Sequence, residues 1–182
     1  ITETRLAHSV KKILMAKYTV GLHDFQPINT VNILEQLNSI EDKILYEELI
    51  ENALTVIKND NDNLPLRHLE KRSIAYVALG NDKGNTFLEA LQRYGEVTQV
   101  TSNNLNDLIE ELKNYNTVIV GFHKSNDNPW KSYQFKNKEL VWLYEIARTN
   151  NIILNVFAKP YALLDLKTVQ NFESIVVSYQ NS

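Results

Sequence analysis

From Ile74 onward, short apolar runs rich in β-branched residues alternate with stretches of helical periodicity. Residues 118–120 and 152–154 are apolar at every position, which is typical of strands that helices cover on both faces. The alternation predicts a parallel sheet of βαβαβαβαβ order, and right-handed crossovers favour a doubly wound, flavodoxin-like strand order. The predicted strands are 74–79, 97–100, 117–122, 152–157 and 174–178, and the predicted helices are 86–94, 105–114, 138–149 and 163–171.

The first 72 residues show another pattern, in which helices follow one another. Apolar residues recur every three or four positions over residues 3–20, which predicts an amphipathic helix, and Gly21 follows where a left-handed C-cap would lie. Ser39, with Asp42 three residues later, resembles a capping box that opens a second helix, whose apolar face runs to about Ile57. Residues 59–63 end that helix, and Leu-Pro-Leu at 64–66 leads away as an extended linker. We therefore expect an α/β sandwich preceded by two helices.

Composition excludes several classes of protein. The 182 residues, 43% of them hydrophobic and 23% charged, are sufficient for a folded protein with a core, and no apolar run approaches the roughly 20 residues that span a bilayer. A formal net charge of −3 leaves no excess of Lys and Arg for nucleic acid. The absence of cysteine excludes disulfides, thiol nucleophiles and Cys-based zinc sites, but does not indicate a compartment. Since the chain begins at Ile1 without a signal peptide, we expect it to be a processed product or a cut piece, and the sandwich to be incomplete at its end as well.

Two loops at the carboxyl ends of predicted strands are the candidate binding regions, because ligands of open parallel sheets bind at that edge. The loop 80–85 carries two glycines and Lys83 before a helix, a pattern that fits either a phosphate-binding turn or, more simply, a turn that needs glycine. The loop 123–135 mixes polar and aromatic residues suited to sugar recognition by hydrogen bonds and stacking. The candidate substrate-binding residues are Asp82, His123, Lys124, Asn126, Asp127 and Trp130.

No catalytic set is evident. Asp82 and Asp127 are candidates for a carboxylate pair, which glycoside hydrolysis needs at about 5 to 9 Å. Residues 9–12 fit S-x-x-K, but the partner motifs of the penicillin-recognising enzymes are missing, so we regard the match as chance. Neither G-x-S-x-G nor H-E-x-x-H occurs, and the four histidines are too scattered to predict a metal site. We expect no cofactor.

Three stretches carry a resemblance to a known family. Residues 5–18, RLAHSVKKILMAKY, followed by Gly21-Leu22, resemble the R-[IL]-x-x-S-V-x-R-I-L-x-x-K stretch that closes the barrel domain of family 3 glycoside hydrolases. Residues 53–59, ALTVIKN, with Leu-Pro-Leu at 64–66, resemble the A-[IL]-[TV]-[LV]-[LV]-K-N … L-P-L segment that leads into that family's second domain. Residues 157–163, FAKPYAL, resemble the N-P-Y-x-[IL] turn of its bacterial β-N-acetylhexosaminidase branch, with Lys159 in place of the usual small or amide residue.

The resemblance implies a domain organisation. Residues 1–22 would be the last helix of a preceding (β/α)₈ barrel, residues 23–72 a linker with one helix, and residues 73–182 the C-terminal α/β sandwich domain. The parent would be a retaining exo-glycosidase acting on terminal β-linked N-acetylglucosamine, with a periplasmic or secreted location favoured.

The same resemblance implies that the catalytic groups lie elsewhere. In that branch an Asp nucleophile and a His–Asp acid/base dyad belong to the barrel, and no residue here matches those motifs. Other branches take an acid/base carboxylate from the second domain, but no residue here matches that motif either. We therefore expect a scaffold that also forms one wall of the substrate cleft, with the barrel and a carbohydrate as partners and no hydrolysis by the chain alone. The alternative is a stand-alone flavodoxin-like module that binds a small ligand or a protein.

Overall fold

The computed structural model describes residues 1–125 and 133–179. They fall into two compact units, Ile1–Glu47 and the described residues from Glu48 onward. The first unit contains helix α1 (Glu3–Thr19), a short 3₁₀ turn at Leu22–Asp24 and helix α2 (Ile33–Leu37). Helix α3 (Ile40–Ala53) begins in the first unit and ends in the second. The predicted caps are present: Gly21 has a φ of 79°, and Ser39 Oγ accepts a hydrogen bond from the Asp42 backbone N–H at 3.0 Å. None of the described helices is of the length and apolar character that crossing a membrane requires.

The second unit is a six-stranded sheet with helices on both faces. Its elements in chain order are β1 (Thr55–Asn59), β2 (Ile74–Gly80), α4 (Asn85–Gln92), β3 (Val97–Gln99), α5 (Leu105–Leu112), β4 (Thr117–His123), α6 (Asn137–Thr149), β5 (Ile152–Phe157) and β6 (Phe172–Val177). Short 3₁₀ helices occur at Asp60–Asp62, Leu69–Lys71 and Pro160–Asp165. The strand order is β1-β6-β5-β4-β2-β3, with β1 antiparallel to β6 and all other pairs parallel. The five parallel strands thus have the predicted flavodoxin-like order.

Alternation along each strand divides the core between the two faces. Ala75, Val77 and Val118 point to a large cluster that α5 and α6 cover with Leu108, Leu143 and other buried residues. Ile74, Tyr76 and Ile119 point to a smaller cluster that α4 and residues 64–69 cover. The second face carries the site described below.

The second predicted helix ends earlier than expected. It stops at Ala53, and residues 55–57, predicted as its last turn, are instead the start of strand β1. The spacing of the apolar residues fits a helix, but Thr55, Val56 and Ile57 are β-branched, and the first two pair with a distant strand: Thr55 lies opposite Val177 and Val56 opposite Val176. The short helix α2 was not predicted, and the predicted helix 163–171 is the 3₁₀ helix Pro160–Asp165.

Lys58 and Asn59 fasten this edge strand to the rest of the sheet. Lys58 Nζ donates to the carbonyl oxygens of Val169 (2.9 Å), Gln170 (3.3 Å) and Phe172 (2.5 Å), and it lies 2.8 Å from a carboxylate oxygen of Asp60. The Asn59 side chain accepts a hydrogen bond from the backbone N–H of Leu64 and donates one to its carbonyl oxygen. Asn59 therefore links the Lys-Asn stretch to the Leu-Pro-Leu stretch. Lys58 links the same stretch to the start of β6 and the residues before it.

Candidate functional site

Two buried polar side chains meet at the carboxyl ends of β2 and β4. Tyr76 is fully buried and His123 is 2% exposed, and the Tyr76 hydroxyl oxygen lies 2.6 Å from His123 Nε2 in a hydrogen bond whose direction depends on the histidine tautomer. Burial, assisted by the negative charge of Asp82, raises the pKa of the Tyr76 phenol far above its usual value. Tyr76 therefore keeps its proton at neutral pH.

Three glycines leave the space that this pair occupies. A side chain at Gly84, whose φ is +63°, would collide with the Tyr76 hydroxyl and with the imidazole of His123. A Cβ at Gly121 would lie 2.5 Å from His123 Nε2 and 2.7 Å from the Tyr76 oxygen. Gly80 has a φ of +103° and lies against the backbone of His123. Close packing around Tyr76 and His123 therefore accounts for the glycines of the loop 80–85 without a phosphate.

Aromatic rings hold the imidazole on its other sides. The ring of His123 stacks on Phe157 with centroids 4.5 Å apart and an angle of 7° between the planes, and Phe87 of α4 packs edge-on against Phe157 at 4.8 Å. Phe157 ends β5, and His123 ends the neighbouring β4 in register with it. The register of the parallel strands thus places the two rings side by side.

An open pocket of about 410 Å³ lies over these rings. Its polar groups are His123 and the more exposed residues of the first loop and of the start of α4, where the carboxylate of Asp82 accepts a hydrogen bond from the Gly84 N–H at 2.6 Å. The residues that line it are Asp82, Gly84, Asn85, Thr86, Phe87, Ala90, His123 and Phe157. Among the described residues the pocket contains one carboxylate, so it can bind a polar ligand against an aromatic floor but does not bring two carboxylates together.

The predicted site residues divide between two faces. Asp82 and His123 lie together in the pocket, whereas Lys124, the next residue along β4, points to the opposite face and is 2% exposed. Its ammonium lies 3.1 Å from both carboxylate oxygens of Glu139 and 5.0 Å from the centroid of the Phe122 ring. Glu139 also accepts a hydrogen bond from the Lys136 N–H at the start of α6, so Lys124 anchors the base of the loop. Asn126, Asp127 and Trp130 fall outside the described residues, as does the proposed pairing of Asp82 with Asp127.

Three aromatic residues around His123 were not predicted from the sequence as part of the site. Tyr76, Phe87 and Phe157 fit the apolar periodicity of their strands and helix, which conceals their position beside His123. A signal was nevertheless present: Gly121 interrupts an apolar strand, and a glycine in a strand interior often marks a close approach of other groups. Within residues 1–125 and 133–179, no group of three His, Asp or Glu side chains is arranged to hold a metal ion.

Comparisons with known proteins identify the fold. No protein-family model matches the chain, and no curated protein matches it by sequence. Among solved structures, the beta-glucoside phosphorylase BglX matches the whole chain with a TM-score of 0.73 at 18% identity. The β-glucosidase D2-BGL of Chaetomella raphigera matches 98% of the chain (TM-score 0.67, 15% identity), and a fungal multi-domain GH3 β-N-acetylglucosaminidase matches 85% (TM-score 0.64, 17% identity). The chain spans 35%, 32% and 17% of the lengths of these three proteins, so it has the fold of one part of each.

Proposed function

We propose that this chain is the C-terminal α/β sandwich domain of a family 3 glycoside hydrolase that releases terminal β-linked N-acetylglucosamine with retention. In this proposal, residues 1–22 are the last helix of a (β/α)₈ barrel, residues 23–72 connect the two domains and supply the edge strand β1 of the sheet, and residues 73–182 are the rest of the sandwich domain. The sandwich is a scaffold and one wall of the substrate cleft, and the catalytic residues belong to the barrel.

The observation that carries the proposal is the agreement between the fold match and the sequence motifs. The match to BglX covers the whole chain, including the helical segment before the sheet. The Lys-Asn and Leu-Pro-Leu motifs lie where the chain enters the sheet, and Lys58 and Asn59 make the contacts that hold it there. Residues that fix the path of the chain between two domains are expected to form a recurrent motif, because the relative position of the domains depends on that path.

The chemistry of the pocket supports a non-catalytic role. Retaining hydrolysis in most families needs two carboxyl groups about 5 Å apart, and the pocket offers Asp82 alone among the described residues. His123 stacks on Phe157 and is hydrogen-bonded to the buried Tyr76, so it is built into the floor of the pocket instead of standing beside a carboxylate as an acid/base group. Asp82 and His123 at the rim and floor of this pocket are the residues we assign to the cleft wall.

The sugar specificity is the finer part of the proposal. Residues 157–163 resemble the turn of the N-acetylhexosaminidase branch, and one structural neighbour is named as a GH3 β-N-acetylglucosaminidase. Other neighbours are named for β-glucosides or as a GH3 exo-β-xylosidase, so the sugar must be determined directly.

The test compares the 182-residue chain with the longer polypeptide that, in this proposal, contains both the barrel and this chain. Both are assayed with chromogenic β-N-acetylglucosaminide, β-glucoside and β-xyloside. We expect turnover of the first substrate by the long form and none by the chain alone. Turnover by the chain alone would overturn the scaffold role, and preference of the long form for glucose or xylose would overturn the assigned sugar. Calorimetry of the chain with phosphates and nucleotides addresses the stand-alone module, since saturable heat there would favour it instead.

A further inference from the structure

A second polar and aromatic surface lies at the carboxyl edge of the sheet, apart from the Tyr76–His123 pocket. Tyr133 precedes α6, Lys159 follows β5 and Tyr161 lies in the 3₁₀ helix Pro160–Asp165. The two tyrosine rings have centroids 6.1 Å apart at an angle of 47°, and Lys159 Nζ lies 5.9 Å from the centroid of the Tyr133 ring. We call these three residues the Tyr–Lys platform.

The platform stands on a rigid base. The Phe135 N–H donates to the carboxylate of Asp165 at 3.0 Å, which ties the segment of Tyr133 to the 3₁₀ helix of Tyr161. Phe135 in turn stacks on the buried Phe122 with centroids 3.5 Å apart, and Ala162 is fully buried. Since the backbone on both sides is fixed, a ligand that binds the two rings pays little ordering entropy for them.

The exposed part of the platform has a defined chemistry. Tyr161 is 63% exposed, an amphipathic ring whose face is free to pack against the apolar face of a ligand while its hydroxyl forms hydrogen bonds. Lys159 forms no ion pair within residues 1–125 and 133–179, whereas Lys124 is paired with Glu139. Within the described part of the chain, the platform therefore presents aromatic surface beside an ammonium group that has no carboxylate partner.

We infer that the Tyr–Lys platform binds a sugar residue that carries a carboxylate, within a β-linked glycan, and so forms a binding site separate from the pocket at His123. The sugar ring packs on Tyr161 and the carboxylate pairs with Lys159. The inference rests on the proposed function for its choice of a glycan as the ligand, because aromatic surface beside a cation also suits an acidic peptide.

The experiment titrates the 182-residue chain by calorimetry with a tetrasaccharide of alternating N-acetylglucosamine and glucuronic acid. The same tetrasaccharide with its carboxylates reduced to alcohols, and a glutamate-rich peptide of the same net charge, are the two comparison ligands. We expect the acidic tetrasaccharide to bind, the reduced form to bind at least about tenfold more weakly, and Lys159→Gln to remove that difference. Tyr161→Ala should weaken both sugars about tenfold.

Tyr94→Ala is the matched control, because Tyr94 is 79% exposed at the opposite edge of the sheet and should leave binding unchanged. Equal binding of both tetrasaccharides, or no effect of Tyr161→Ala, would overturn the inference. Tighter binding of the peptide would assign the surface to a protein partner instead. Binding that is absent altogether overturns the platform but not the proposed function, which is tested separately by hydrolysis in the longer polypeptide.

Discussion

The hydroxyl oxygen of Tyr76 lies 2.6 Å from Nε2 of His123, and the two side chains lie over the bare backbone of Gly121 between them in the sheet. Tyr76 is four residues before the end of β2, whereas His123 is the last residue of β4. Their side chains lean toward each other because Gly121 has no side chain to separate them. The carboxyl ends of β2 and β4 are therefore joined by a fixed polar pair that forms the floor of the pocket.

Gly121→Ala should lower the free energy of unfolding by about 2–3 kcal/mol, because a methyl group there overlaps both the Tyr76 hydroxyl and the His123 imidazole and forces them out of their packed positions. Urea denaturation measures the change. Gly95→Ala is the control, since a Cβ at Gly95 meets its nearest atom at an ordinary 3.9 Å. Equal stability of the two variants would show that the floor is looser than the structure indicates.

Tyr76→Phe should remove an alkaline loss of stability. Burial raises the pKa of Tyr76 in the folded state, so the folded chain holds the phenol proton more tightly than the unfolded chain, whose tyrosine pKa is about 10. This contribution to stability is complete below pH 10 and decreases as the pH rises above that value. The measurement is the free energy of unfolding from pH 8.5 to 11 for both proteins.

The difference between the two proteins in that series isolates Tyr76 from the other titrating groups. At neutral pH we expect the variant to be less stable by about 1 kcal/mol, the usual loss for a missing buried hydrogen bond. The difference in the free energy of unfolding between the two proteins should decrease as the pH rises past 10. Parallel curves throughout would contradict the raised pKa.

The order of the parallel strands could be predicted from the sequence, whereas the edge strand β1 and its pairing with β6 could not. Continuous apolar runs such as 118–120 identify buried parallel strands, and crossover handedness then restricts their order. Strand β1 was missed because its evidence is non-local: Thr55 pairs with Val177, and nothing in the intervening sequence indicates that register. A period of three to four residues, read locally, favoured a helix instead.

The candidate site shows the same division. His123 was identifiable as a polar residue at the end of an apolar strand, at the edge where ligands bind. Its partner Tyr76 lies inside an apolar run and is indistinguishable there from a core residue. The same holds for Phe157 at the end of the apolar strand β5. Lys124 was grouped with His123 because the two are adjacent in sequence, yet adjacent residues of a strand point to opposite faces.

Lys58→Met should destabilise the second unit by about 1–2 kcal/mol, because three carbonyl oxygens and the Asp60 carboxylate lose their shared donor. Lys113→Met removes an exposed ion pair with Glu110 at the end of α5 and should cost about 0.5 kcal/mol or less. Thermal and urea denaturation of both variants provide the comparison. If Lys58→Met is no worse than Lys113→Met, the edge strand does not depend on this contact.

Variants of Lys124 and Glu139 distinguish two roles for Lys124, a structural anchor of the loop or a contact to a ligand. Removing the ammonium alone, as in Lys124→Met, leaves a largely buried carboxylate without its counter-charge and should cost about 3–5 kcal/mol. Adding Glu139→Gln removes that charge while an oxygen remains for the Lys136 N–H, so the double variant should recover at least half of the loss. Denaturation of the two single variants and the double variant gives the coupling free energy.

If Lys124 instead contacts a ligand, Lys124→Met should weaken sugar binding with little change in stability. Adding Glu139→Gln should then not restore the binding. Recovery of stability in the double variant would therefore place Lys124 with the framework of the loop, and leave Asp82 and His123 as the predicted site residues that line the pocket.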